Sequence, residues 1–344
     1  MMIIAGLRVS DFFARLSSSG RRIALLACAL TACAIPDAPE APRLSTLSPM
    51  TVPVDNPQTA EKIALGKQLF FDQRLSPDGS TSCEGCHYRH LGWTDGHNFS
   101  RRVDGLVNRR HTPTLYNVGY LTLWYWDGRA VTLEGQILGA WSSQMSADPP
   151  KVAVVLNRVA EYQAQFLRVF GAPASQDTIV KALAAYVRTL NSGAAPWDRY
   201  EQGDRNAVSA DAIAGFQLFV GKARCAICHT RPTYTDGNFY NIGLEHGKRQ
   251  PDIGRAAITK DVEDTSAFKT PTLRSIAISG PYFHDGSAQT LDEAVRYMAG
   301  GGKPDPNKSW LLAPTGLTEP EIAALVAFLR SLTSDEPLVR PRIP

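Results

Sequence analysis

The sequence is poor in the residues that would cross-link it or carry it through a membrane. Only six of its 344 residues are cysteine. Cys28 and Cys33 lie near the start, and the other four, Cys83, Cys86, Cys225 and Cys228, sit in two short stretches. No thiol is left for a long-range disulfide, even in a compartment that would permit one. Methionine is scarce as well: Met1, Met2, Met50, Met145 and Met298 are all there are. No convincing run of alternating apolar and polar residues appears, which argues against a sheet fold. The apolar run "IALLACAL" is far shorter than the roughly 20 residues a membrane helix needs. Charge of one sign is also missing. The formal net charge of +3 resides in Met1–Ala32, and the remainder holds 32 basic and 32 acidic residues. A balanced chain gives no reason to expect a nucleic-acid partner. With 44% hydrophobic and 20% charged residues, the composition is that of a globular chain long enough for two cores.

Residues 1–32 read as a signal peptide, with Arg21-Arg22 ahead of the short apolar run. "LTAC", Leu30–Cys33, resembles the lipobox of bacterial lipoproteins, which predicts either lipidation at Cys33 or plain secretion with cleavage nearby. Both place the chain in the periplasm, with no membrane contact beyond that anchor. Residues 33–55 are Pro-rich and read as an extended tether.

The four remaining cysteines form "SCEGCH" (Ser82–His87) and "RCAICH" (Arg224–His229), each a Cys-x-x-Cys-His. This is the attachment signature of c-type haem. Two thiols one turn apart can each bond a vinyl group on one porphyrin edge, and the adjacent imidazole then reaches the iron. A zinc site with four thiolates around one metal, or a redox dithiol, would use the same thiols, but neither needs the histidine. Two covalently bound haem c groups are expected, held by Cys83, Cys86 and His87 and by Cys225, Cys228 and His229.

The pentapeptides belong to a longer repeat. "ALGKQLFF" (Ala64–Phe71) resembles "IAGFQLFV" (Ile213–Val220), and Thr112–Glu134 matches Thr270–Asp292 without a gap over 23 positions. The predicted fold is all-α: two cytochrome c-like haem domains related by internal duplication. The expected domains are 56–200 and 201–335, followed by a tail over 336–344. The polar segment Asn191–Ser209 marks their junction. Asn56 and Pro57 read as the N-cap and first residue of a helix. Ile179, Leu183, Tyr186, Val187 and Leu190 follow helical spacing, and Thr318 with Glu321 forms a capping box for the last helix.

The repeat breaks at one informative position. Met298 lies seven residues after Leu291, and the matching residue seven after Leu133 is Ala140. A thioether can cap an iron, and alanine cannot. The comparison predicts a His229/Met298 haem in the second half and an open His87 haem in the first. Trp126 in "YWDGRA" pairs with His284 in "YFHDGSA"; it is either packing or an electron conduit between the haems. His90, His97, His111 and His246 remain as alternative caps for the first iron.

These motifs, with "LGKQLFFDQRLS", "RHTPTLYN", "WDGRAVTLEGQ", "TPTLRS" and "LTEPEIAALVAFLRSL", resemble the bacterial di-haem cytochrome c peroxidases and the related di-haem enzymes that modify partner proteins. The resemblance spans about Asn56 to Thr333. It implies two cytochrome c-like domains, a peroxidatic haem on His87, an electron-transfer haem on His229 and Met298, and an inter-haem role for Trp126. It also implies a calcium ion between the domains, with the carbonyls of Ser279 and Pro281 as ligands. H2O2 is the implied oxidant. The implied donor is a small cytochrome c, a cupredoxin or a quinol-linked donor, and a homodimer is a candidate assembly. Three departures stand out. Val103 takes the place of a removable distal histidine. Gln144 takes the place of the distal acid, and an amide cannot exchange a proton; Glu134 or Asp148 are the candidate substitutes. His111 matches the calcium-site Asn and is a poor ligand for a hard cation. Covalent attachment predicts a reddish protein whose Soret band survives acid-acetone extraction; colourless protein made with haem-ligation machinery present would refute it.

Overall fold

The computed structural model describes residues 49–335 and 337–344. The signal segment, Cys33 and most of the tether fall outside the described residues. Two hydrophobic cores organise the rest. The first is built on α1 (Ala60–Phe70) and α5 (Gln176–Val187), with α2 (Leu133–Ser143), α3 (Pro149–Leu156) and α4 (Ala160–Phe170) around them. The second is built on α7 (Ala210–Val220) and α10 (Glu319–Arg330), with α6 (Pro196–Glu201) and α9 (Leu291–Ala299). The short α8 (Ala256–Thr259) lies on the surface. The only strands among the described residues are β1 (Phe239–Tyr240) and β2 (Phe268–Lys269), paired antiparallel with Phe239 opposite Lys269. The fold is helical, as expected.

One glycine sets the helix contact in each core. A Cβ on Gly66 of α1 would lie 1.9 Å from the Ala182 carbonyl oxygen of α5. A Cβ on Gly215 of α7 would lie 2.0 Å from the Ala324 oxygen of α10. Backbones this close admit no side chain, so glycine is required at both positions. Around these contacts pack Leu65, Leu69 and Ile179 in the first core, and Phe219, Phe328 and Trp197 in the second. The α10 capping box is present: Glu321 Oε2 accepts from the Thr318 N–H at 2.7 Å.

One local expectation fails. Thr59, not Asn56, caps α1. Asn56 is fully buried instead. Its amide donates to Glu134 Oε1 (2.7 Å) and the Lys181 carbonyl (3.0 Å), and its oxygen accepts from Lys62 Nζ (2.9 Å). An amide that serves three partners inside is worth more there than as an exposed cap. The core also changes ahead of residue 201. Trp197 of α6 packs on Phe216 and Phe328, and Asp198 accepts two bonds from buried Arg274 Nη1, at 2.8 and 2.7 Å. The polar stretch that read as a junction therefore contains an anchor of the second half.

The halves meet through reciprocal backbone bonds. The His111 N–H donates to the His284 carbonyl (2.7 Å), and the Lys269 N–H donates to the Trp126 carbonyl (2.8 Å). In the aligned segments His111 stands opposite Lys269, and Trp126 opposite His284. The tail returns across the first half: Leu338 packs on its core, Arg340 pairs with Glu84, and Arg74 donates to the Pro344 carbonyl at 2.8 Å. Gly66→Ala and Gly215→Ala should each lower stability by about 3 kcal/mol, the upper range for overpacking. Calorimetry that finds an unchanged Tm for either variant would refute this account of the helix contacts.

Candidate functional site

A single cavity of about 850 Å³ runs through both halves and is lined by both Cys-x-x-Cys-His stretches. At each end one imidazole is fixed in the same way. His87 Nδ1 lies 2.7 Å from the Trp93 carbonyl, and His229 Nδ1 lies 3.0 Å from the Tyr234 carbonyl. Trp93 (φ 63°) and Tyr234 (φ 54°) both adopt the left-handed region, unusual for such bulky residues and a form of strain that collects at functional sites. With Nδ1 donating to a carbonyl, Nε2 carries the lone pair. Burial pushes the pKa of both rings down, which keeps them neutral and able to ligate a metal.

The four thiols are unpaired. Burial pushes Cys83 and Cys225 up to about 12 and Cys86 up to about 11. They do not converge into a metal cluster. Among the described residues the only group of three or more candidate ligands is Glu245, His284 and Asp285. Its centre is served by the Lys248 ammonium, 2.7 Å from both Glu245 Oε1 and Asp285 Oδ2. The zinc reading therefore has no geometry behind it. Two thiols and one neutral imidazole at each end of a long, mainly apolar cavity fit two covalently attached porphyrins. Arg101, Arg109, Arg110 and Arg129 also line the cavity and suit the carboxylates such groups carry.

The two ends differ on the helices that face them. Ala140 of α2 and Met298 of α9 both line the cavity, at equivalent positions after the N-caps Thr132 and Thr290. Gln136, one turn before Ala140, lines it as well, and its Oε1 is buried without a partner. Sequence reasoning missed Gln136, although the i, i+4 spacing from Ala140 points to it. Gln144 lines the first end, with Oε1 also buried and unpartnered. The buried Met145 lines it too. Val103 packs on the first core and donates its N–H to the Gln144 carbonyl at 3.2 Å, without lining the cavity.

Among the described residues no free carboxylate stands at the first end. Glu134 is bound by Arg188 at 2.8 and 2.9 Å and by Asn56, and it lies outside the cavity lining. Burial raises its pKa, but the Arg188 and Asn56 hydrogen bonds outweigh burial and hold it below the usual carboxyl range. Asp148 accepts from the Lys151 N–H as the cap of α3 and is likewise outside the lining. Neither acid reaches the cavity wall. The acids that do line the cavity are all engaged. Asp252 and Asp127 pair with Arg110 at 2.8 and 2.7 Å, and Asp236 accepts from Tyr240 at 2.8 Å. Burial opposes ionisation of Asp252, but its Arg110 bonds lower it to about 2.

Between the two ends, the Trp126 and His284 rings meet edge to face, with centroids 6.5 Å apart. Trp126 Nε1 donates to the His111 carbonyl at 2.9 Å. His284 stacks on Phe268 at 3.5 Å, and its Nε2 lies 2.7 Å from Glu245 Oε1. Burial would raise the Glu245 pKa, but bonds from His284 and Lys248 hold it low. His90, His97 and His246 are exposed and do not line the cavity, whereas His111 is buried and does.

The calcium donor set does not fit. Ser279 and Pro281 line the cavity, but the third residue that the resemblance assigns to the ion, His111, offers an imidazole in place of oxygen. Its Nδ1 is 2.7 Å from the His97 carbonyl, and its Nε2 is buried without a partner. Burial pushes its pKa down, while the His97 and Ser279 backbone groups that face the ring favour its charged form. The nearby carboxylate, Asp95, already accepts from Thr112 Oγ1 (2.7 Å) and the His97 N–H (3.0 Å).

The family model for di-haem cytochrome c peroxidase matches residues 60–206, and that for cytochrome c matches residues 212–333. The chain is 39% identical to the cytochrome-c peroxidase IdrP1 of Denitromonas iodatirespirans, over 94% of this chain and 96% of that one. It is 41% identical to the methylamine utilization protein MauG of Methylorubrum extorquens, over 85% of this chain and 84% of that one. A crystal structure of a MauG-like protein associated with microbial copper homeostasis superposes with a TM-score of 0.78 at 32% identity, covering 87% of this chain and 96% of that one.

Glu134→Gln leaves the buried Arg188 guanidinium without its carboxylate and should destabilise the fold by about 3 kcal/mol. Because the Glu134 pKa is lowered on folding, its contribution is complete above the ordinary carboxyl range and is lost as pH falls through the folded value. Denaturant titration of wild type and variant at pH 7 and pH 3 should show the difference shrinking in acid.

Proposed function

Since the chain belongs to the di-haem cytochrome c peroxidase family, we propose that it reduces H2O2 to water with electrons from an external donor. Each turnover takes two electrons and two protons and releases two waters. When bound, two haem c groups held by the Cys-x-x-Cys-His stretches would supply the redox chemistry that peroxide reduction needs. The observation that carries this reading is the asymmetry of α2 and α9, with a methyl at Ala140 and a thioether at Met298 facing one cavity.

In this reading Cys83, Cys86, Cys225 and Cys228 attach the two groups, and His87 and His229 hold them from one face. Met298 offers its sulfur to the second site, while Ala140 leaves room for a small substrate at the first. The amides of Gln136 and Gln144 can bind peroxide by hydrogen bonds but cannot exchange its protons. Water must therefore carry them, and turnover is slow, because a positioned acid contributes typically 10²–10⁴-fold. Trp126, which lines the same cavity, serves as the electron conduit between the sites. We further propose that the halves arose by duplication, which is supported by the gapless repeat and the reciprocal His111–His284 and Lys269–Trp126 bonds. The leader features support a periplasmic protein, lipid-anchored at Cys33. Its donor is a cytochrome c, a cupredoxin or a quinol-linked protein.

A second reading is favoured by the engagement of every nearby carboxylate elsewhere. Slow consumption of peroxide would leave time for electrons to be drawn from a side chain of a partner protein, through Trp126, instead of from a donor. The similarity to MauG is compatible with it.

A steady-state assay with reduced cytochrome c and H2O2 tests the first reading; no turnover with both haems intact rejects it. Mass spectrometry of candidate partners after peroxide exposure tests the second. Met298→Ala should convert the second iron from low to high spin in the resting EPR spectrum and leave the first unchanged. Gln144→Glu should raise peroxidase turnover by about 10²-fold; unchanged turnover would mean that Gln144 does not face the peroxide.

A further inference from the structure

His111 is the residue on which the two halves converge. Its N–H donates to the His284 carbonyl (2.7 Å), its carbonyl accepts from Trp126 Nε1 (2.9 Å), and its ring nitrogen Nδ1 lies against the His97 carbonyl (2.7 Å). The Ser279 backbone, from the second half, also faces the ring. The two strands of chain involved are tightly packed there. A Cβ on Gly92 would lie only 2.8 Å from Ser279 Cβ, and Thr112 next to His111 is tied to Asp95.

The opposite position in the repeat does the complementary job. Lys269 donates its N–H to the Trp126 carbonyl (2.8 Å) and its ammonium to the Leu123 carbonyl (2.9 Å). Each half thus sends one nitrogen-bearing side chain, with its backbone N–H, into the seam. The acceptors, on His284, His97, Trp126 and Leu123, are all backbone carbonyls, the kind of oxygen a hard cation binds.

We propose that the His111 imidazole stands in for an inter-domain metal ion, holding the seam at Trp126 and His284 in register without calcium, while Lys269 ties the repeat-related joint. His111 is a positioning residue: its ring, set against the His97 carbonyl and the Ser279 backbone, fixes the stretch of main chain that bonds His284 and Trp126. The inference stands apart from the catalytic reading, because metal content and seam stability do not depend on which reaction follows.

The test uses the full-length holoprotein, purified without chelator. Elemental analysis should find well under one calcium per chain, and the Tm and resting EPR spectrum should be the same in excess EGTA and in millimolar CaCl2. His111→Ala, at unchanged haem content, should lower the Tm by about 5 °C, as expected for the loss of a buried hydrogen-bonding group. It should also broaden the EPR signals, a readout that general loss of stability would not move. Three results would overturn the proposal: one calcium per chain in the wild type, a Tm or spectrum that changes with EGTA, or a His111→Ala protein indistinguishable from wild type. If His111→Ala yields no folded protein, the calcium and EGTA measurements on the wild type still decide.

Discussion

A backbone carbonyl aimed at an imidazole nitrogen governs this structure. At both ends of the cavity a bulky residue, Trp93 or Tyr234, is held at positive φ so that its carbonyl meets Nδ1 of the histidine after the attachment cysteines. The conformation is unfavourable for such residues, and packing has to impose it. Trp93 sits edge-on against Phe70 of α1, and Tyr234 against Phe219 of α7. The helix pairs that hold those phenylalanines depend in turn on Gly66 and Gly215. Core, turn and ring orientation form one chain of causes, repeated twice.

What differs between the halves is added to this shared frame without disturbing it. Both α2 and α9 start from a threonine cap and present their eighth residue to the cavity. One has Ala140 there and the other Met298. A change of side chain at one helical position is enough to separate a site that can accept a small molecule from one that can be closed by sulfur. At the first end Val103 packs on the core without lining the cavity, and the nearby acids Glu134 and Asp148 serve an arginine and a helix cap.

The two Cys-x-x-Cys-His stretches, the helical class and the contrast of Ala140 with Met298 were all legible in the sequence, because each is local or repeats at fixed spacing. What escaped was set by contacts distant in the chain. Asn56 looked like a cap because Asn-Pro is a good helix start, yet Glu134 and Lys181 draw it inside. Gln136 was passed over because its exposure depends on where the neighbouring site lies. The place of His111 between the halves needed the fold, since His97, Ser279 and Trp126 come from three separate stretches.

The reciprocal bonds across the seam have a consequence for rate as well as for assembly. Electron tunnelling falls exponentially with distance, so a loose joint between two redox sites would smear one rate into many. Here the spacing is read off a ladder of main-chain bonds running in both directions, His111 to His284 and Lys269 to Trp126. The seam serves as a ruler, and its graduations are backbone atoms.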